Sequence, residues 1–136
     1  MRPRPGVSVE HSRHYTLEQA SALLPRVGEL LVRMRSARDR LSDREARQAL
    51  AEAAPGNGGG GPGRTVSEGF LELRECMLGL RELEIVLRDL DRGLVDFPSI
   101  REDREVYLCW EEGEREIGFW HEPDAGFAGR RPLDDG

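Results

Sequence analysis

The sequence predicts an α+β protein, mainly α: a long antiparallel two-helix hairpin that carries a C-terminal β-hairpin and an ordered aromatic loop. Three observations lead there. Between Thr16 and Leu94, apolar residues recur at three- and four-residue spacings, the period of one helix face. A Pro- and Gly-rich stretch at 54–65 divides that pattern in two. From Gly93 to Leu133 the composition changes, and both tryptophans, three of the four phenylalanines and the only His outside the N-terminal tail fall there.

Size and composition bound the answer. A chain of 136 residues reads as a single domain, here 15–133 behind a disordered Pro- and Arg-rich tail at 1–14. His11 and His14 stand three apart in that tail, a spacing a metal uses on a helix, but nothing around them makes a helix. Hydrophobic content of 38% with 34% charged residues describes a soluble, helix-leaning chain. No apolar run approaches the roughly 18–20 residues that span a bilayer. The opening Met1-Arg-Pro-Arg-Pro-Gly has no apolar stretch of the secretory kind, so the expected location is the cytoplasm. All 20 basic residues are Arg, a usage that reads as the mark of a GC-rich genome. They are interleaved with acids under a net charge of −6, which argues against nucleic acid and anionic membranes as partners. Cys76 and Cys109 form no Cys-x-x-Cys pair and read as reduced, buried thiols.

The first helix is expected at 16–50. Thr16 caps it, and Gln19 completes a capping box. Leu17, Ala20, Leu24, Val27, Leu31 and Met34 form a narrow apolar seam. Pro25 has no N–H for the Ser21 carbonyl and bends the helix there. The flexible loop at 54–65 contains a near-match to a phosphate-binding loop, with Arg64 in place of Lys. A helix rather than a strand precedes it, which removes the fixed cradle such a loop needs. The second helix is expected at 67–90, capped by Ser67, with Phe70, Leu73, Met77, Leu80, Leu87 and Leu94 along its seam. Glu84 interrupts that seam opposite Arg38. The pair reads as a partly buried contact that fixes register, or Glu84 as an inward-facing ligand.

The β-hairpin is expected at 106–121, with Val106–Trp110 and Ile117–His121 joined through a two-residue turn at Gly113-Glu114. That register sets Trp110 opposite Ile117, Leu108 opposite Phe119 and Tyr107 opposite Trp120. One face then shows Val106, Leu108, Trp110, Ile117, Phe119 and His121. The other shows Tyr107, Cys109, Gly118 and Trp120. Both faces are apolar, and an isolated two-stranded hairpin is marginal in water. One face must rest on the helices. The C-terminal loop at 122–133, a ligand or a second subunit covers the other, and a homodimer is expected.

These same residues resemble a family of small bacterial proteins of unknown function, domain-of-unknown-function family 2203. The resemblance rests on Gly93-Leu-Val-Asp-Phe-Pro, Val106-Tyr-Leu-Cys-Trp, Ile117-Gly-Phe-Trp-His, Ala125-Gly-Phe-Ala-Gly-Arg and the opening Tyr15-Thr-Leu-Glu-Gln-Ala-Ser-Ala-Leu-Leu-Pro. It implies a bacterial cytoplasmic protein and no particular activity.

The candidate site follows from chemistry-bearing residues in the aromatic segment. Asp96, Tyr107, Trp110, Trp120, His121 and Arg130 are the candidate ligand or partner surface. Asp96, His121 and Asp124 are an acceptable shell for a divalent metal ion. A structural role competes: His121 donates to Asp96 or Asp124 and pins the C-terminal loop, while Arg130 clamps Asp96 or Glu84. A Cys109–His121 nucleophile pair is disfavoured, because the expected register points the two side chains to opposite faces. No residue is assigned as catalytic. The leading expectation is a structural or protein-interaction module, with a metal- or small-ligand-binding protein as the alternative.

Overall fold

The computed structural model describes residues 9–41, 44, 47, 48, 51 and 67–133. The Gly-rich stretch 54–65, its phosphate-loop look-alike and the first eight residues lie outside these.

Helix α1 (Leu17–Ala22) opens on the expected capping box, with Gln19 N donating to Thr16 Oγ1 at 3.1 Å and Thr16 N to Gln19 Oε1 at 3.0 Å. It stops at Leu23, and α2 (Leu24–Asp39) starts with Pro25 in its first turn, where no N–H is needed. Helix α3 (Glu68–Glu82) is capped by the Ser67 hydroxyl, which accepts from Phe70 N at 3.2 Å. Helices α2 and α3 run antiparallel and approach closely near Gly69, where a Cβ would stand 3.1 Å from the Ala37 carbonyl. Among the described residues, no helix is long and apolar enough to cross a membrane.

The expected architecture requires correction. The helices do not stand as a hairpin with a β-hairpin appended. They pack on one face of a five-stranded antiparallel sheet with strands in sequence order: β1 (Val86–Asp89), β2 (Leu94–Arg101), β3 (Arg104–Glu111), β4 (Phe119–His121) and β5 (Arg131–Pro132). Val27, Leu31, Met34, Leu73 and Leu80 from the helices meet Val95, Phe97, Val106, Leu108, Trp110 and Trp120 from the sheet in one buried cluster. The alternation of apolar residues along β2 and β3 selects these for the helix side.

Two local events move the elements away from the expectation. The second helix ends eight residues early because Glu84 adopts a left-handed conformation, φ 57°. Ile85 N bonds to the Leu80 carbonyl at 3.0 Å and Glu84 N to the Arg81 carbonyl at 2.9 Å, a Schellman end with Glu where Gly is usual. Leu87 and Leu94, which continue the helical period, instead belong to strands. The anticipated Arg38–Glu84 contact does not form. Arg38 pairs with Asp91 at 2.7 Å, while Glu84 accepts from Ser12 N at 3.0 Å and Ser12 Oγ at 2.6 Å.

The second event is the pairing of β3. Its full-length partner is β2, through a two-residue turn at Glu102-Asp103 in which both residues have positive φ, 53° and 64°. This is the geometry of a type I′ turn without its usual Asn-Gly. Gly113-Glu114 belongs to a longer connection to β4. There Tyr107 pairs with His121, Leu108 with Trp120 and Cys109 with Phe119, one residue out of the expected register. A one-residue shift exchanges faces. Trp120 therefore joins Leu108 on the helix side, and Cys109 joins His121 on the other.

That other face is covered from within the chain. The C-terminal loop lies over one part of it. Residues 9–14, expected to be a disordered tail, line another, with Glu10 N and His11 N donating to Glu105 at 2.8 and 3.1 Å. His14 Nε2 meets Glu105 Oε2 at 2.7 Å, and His11 Nε2 meets the Tyr107 hydroxyl at 2.8 Å. Tyr15 anchors the segment: its N–H donates to the Pro98 carbonyl at 2.7 Å and its hydroxyl to the Leu83 carbonyl at 2.7 Å. N–H and C=O of one strand residue point to the same side, so the N–H that Pro98 lacks faces this segment and β3 loses no bond.

Candidate functional site

The corrected register builds a polar cluster on the outer face of the sheet. Asp96 on β2 is the direct partner of Cys109 on β3, and His121 on β4 lies two residues beyond Phe119, the other partner of Cys109. All three are buried, Asp96 and His121 to 1% exposure each and Cys109 to the same degree. One ligand atom from each falls within 4.8 Å of the others.

The hydrogen bonds around His121 fix its chemistry. Nδ1 faces the Glu122 carbonyl at 2.7 Å, and Nε2 faces Asp96 Oδ2 at 2.9 Å. Both neighbours are acceptors, and a neutral imidazole has one N–H for the two of them. Burial works against a charged ring. The hydrogen bonds to Asp96 and Glu122 and the Asp96 charge outweigh it, so the His121 pKa is raised above its usual value. Without a cation the two facing acceptors favour a proton on each ring nitrogen of His121. A cation on Nε2 is the other way to reconcile two facing acceptor positions.

Asp96 is incompletely satisfied. Oδ2 accepts from His121 and from Arg88 Nε, the latter at 2.7 Å. Oδ1 is buried and has no hydrogen-bond partner among the described residues. A buried acceptor left unpaired costs about 1–3 kcal/mol. Cys109 completes the group. Burial pushes its thiol up to about 11, with Arg130 pulling the other way and the Asp96 charge adding to the rise. Such a thiol is no activated nucleophile. Its face, however, is that of His121, contrary to the expectation that the two point apart.

The cluster opens on a cleft of about 320 Å³ lined by Arg88, Leu94, Asp96, Cys109 and His121 from the sheet and by Pro123, Asp124, Gly126 and Phe127 from the C-terminal loop. Gly126, with φ 67°, turns that loop over the sheet. Arg130 does not clamp Asp96 or Glu84. Its Nη2 donates to Glu114 Oε2 at 2.7 Å and its Nη1 to Cys109 Sγ at 3.7 Å, while its guanidinium lies 3.8 Å from the centre of the Phe119 ring.

Of the residues singled out by the sequence, the structure brings Asp96 and His121 into direct contact and sets Asp124 on the exposed rim of their cleft. Tyr107 is buried beside them, its ring tilted against His121 with centroids 5.5 Å apart. Trp110 and Trp120 lie on the helix side, 6% and 7% exposed, and Trp110 Nε1 donates to the Glu114 carbonyl. They contribute to the core rather than to this site. Sequence reasoning missed Cys109 as a member of the cluster and Arg88 as a neighbour. The signal for Cys109 was present, since Asp96 and Cys109 each stand inside an apolar run, 94–98 and 106–110. Arg88 carried none while its segment read as helix.

Neither the curated proteins nor the solved structures contain a match to this chain. A family model does match, over residues 13–133, and that span includes every residue of the cluster and its cleft. The chain therefore belongs to the family described as Uncharacterized conserved protein (DUF2203).

Proposed function

We propose that this protein binds a divalent metal ion, with zinc favoured, through Asp96, Cys109 and His121. One observation carries the reading: three buried donors of the N, O and S types that zinc takes lie within 4.8 Å of one another. The unpaired Asp96 Oδ1 gives the site an acceptor that a cation would satisfy. The Nδ1 contact to the Glu122 carbonyl supports it further, since a metal-bound imidazole ordinarily donates its second N–H to such a group. With ligands 2.0–2.3 Å from zinc, tetrahedral donors stand about 3.3–3.7 Å apart. The His121–Asp96 distance of 2.9 Å therefore widens by about half an ångström, or Oδ1 takes the place of Oδ2. Asp124, expected as the third ligand, belongs to the rim in this reading. A thiolate ligand also favours a reducing compartment, in line with a cytoplasmic protein.

The test is metal uptake. Purified protein titrated with zinc against a chromophoric chelator should bind one equivalent, and Cys109→Ser or His121→Ala should abolish it. Zinc at a hundredfold above its dissociation constant should add about 2.7 kcal/mol of stability. Absence of stoichiometric binding together with an unchanged melting temperature overturns the proposal. The reading then left is a structural or interaction module in which the His121–Asp96 hydrogen bond joins β2 to β4.

A further inference from the structure

Three ligands leave a four-coordinate metal one open position, and the charge around it is uneven. A divalent cation is neutralised by the Asp96 carboxylate and a Cys109 thiolate. Among the neighbouring arginines, Arg130 is matched by Glu114 at 2.7 Å and Arg92 by Glu111 at 3.0 Å. Arg88 has only Asp96 as an acidic partner, whose charge the metal would take over, and its guanidinium also lies 5.1 Å from the centre of the Tyr107 ring. Arg88 lines the cleft, its side chain is 40% exposed, and it engages Asp96 through Nε alone. Its two Nη groups have no hydrogen-bond partner among the described residues.

The walls supply the rest of the chemistry. Leu94, Pro123 and Phe127 give the cleft an apolar side, and a volume of about 320 Å³ accommodates a small organic molecule. Asp124 on the exposed rim contributes one negative charge and weighs against a multiply charged anion.

We infer that the metal's open position takes a small monocarboxylate, one oxygen on the metal and the other held by Arg88, with the ligand's apolar body packed against Leu94, Pro123 and Phe127. This rests on the metal reading above and extends it to the class of ligand. Planar guanidinium and carboxylate are matched in shape, and water-excluding walls strengthen the pairing.

The test uses the cobalt-loaded full chain, whose visible absorption reports the ligands on the metal. Benzoate, acetate and inorganic phosphate serve as probes, and cobalt stoichiometry is measured first on every variant. Benzoate should shift the spectrum and saturate at a lower concentration than acetate, and phosphate should need more than either. Arg88→Ala should weaken benzoate by about tenfold or more, with Arg88→Lys intermediate. Phe127→Ala should bring benzoate to the level of acetate. Cobalt uptake with a spectrum that no anion moves overturns this inference alone. So does tighter binding of phosphate, or an Arg88→Ala protein that takes benzoate as well as the parent. Failure to take up cobalt overturns the metal reading and the ligand with it.

Discussion

Asp96 and His121 touch across an intervening strand. Their side chains meet at 2.9 Å, yet β2 and β4 are separated by β3, a backbone distance of about 9–10 Å. Both side chains reach over the face that carries Cys109 and Tyr107. The contact ties the short β4 to the centre of the sheet, and with it the loop that closes the cleft. Removing one member of a buried ion pair costs about 3–5 kcal/mol, much of it from the charge left behind. In metal-free protein, His121→Ala should therefore destabilise by about that amount in urea. The paired replacement Asp96→Leu with His121→Leu should be milder than the sum of its single changes. A loss below about 1 kcal/mol for His121→Ala would show that β4 is held by its backbone and by Trp120 instead.

Glu105 connects acidity to the order of the N-terminal segment. It is 5% exposed. Burial raises its pKa, but the backbone N–H groups of Glu10 and His11 and the His14 ring outweigh that, so the net shift is downward. A carboxylate with a depressed folded-state pKa contributes stability above its unfolded value and loses it as pH falls through the folded one. The segment should stay docked throughout the range above the ordinary carboxylate value and release as pH falls through the lower folded-state value of Glu105. Amide exchange of residues 10–15, followed from pH 6 to pH 3, reports this. Glu105→Gln should exchange faster at pH 6 and converge with the parent at low pH. Equal exchange at pH 6 would place the anchoring in Tyr15 and the Ser12–Glu84 contact instead.

The legible part of this fold was the part governed by local chemistry. Thr16 with Gln19, and Ser67, are caps written in sequence, and the seams of α2 and α3 follow from spacing alone. The Asp96–His121 hydrogen bond was also within reach, as one of two partners offered for His121, since few polar residues in the aromatic segment stand in apolar surroundings. What the sequence concealed were two turns built from unexpected residues. Glu84 ends a helix where Gly is expected, so Leu87 read as its continuation, Leu94 as the end of its seam, and β1 disappeared into it. Glu102-Asp103 forms a turn that ordinarily requires Asn-Gly, so Gly113-Glu114 attracted the hairpin instead. The resulting one-residue error in register put Cys109 and His121 on opposite faces and hid the cluster.

Glu84 presents two opposed effects in one residue. Its left-handed backbone costs about 1–2 kcal/mol relative to Gly. Its carboxylate holds Ser12 through two hydrogen bonds, which also lower its pKa. Glu84→Gly should remove the strain and raise or preserve global stability, while freeing the N-terminal segment. The melting temperature should stay level or rise, and limited proteolysis near Ser12 should accelerate. A fall in melting temperature would mean that the Ser12 contact is the larger of the two effects.

The Glu102-Asp103 turn offers the cleanest stability gain in the chain. Both residues have positive φ, a region where side chains beyond Gly, Asn and Asp are strained. The β2–β3 hairpin that they close is the longest in the sheet and places Asp96 beside Cys109. Replacing the pair by Asn-Gly supplies the residues that a type I′ turn favours, and the rest of the ladder is untouched. Glu102→Asn with Asp103→Gly should stabilise the protein by about 0.5–1.5 kcal/mol, read as a higher urea midpoint at unchanged slope. Because the strands keep their register, zinc uptake by Asp96, Cys109 and His121 should be unchanged in the same protein. A stabilised variant that lost its metal would show that the turn shifts the β2–β3 register, since a one-residue slip is enough to carry Cys109 to the helix side.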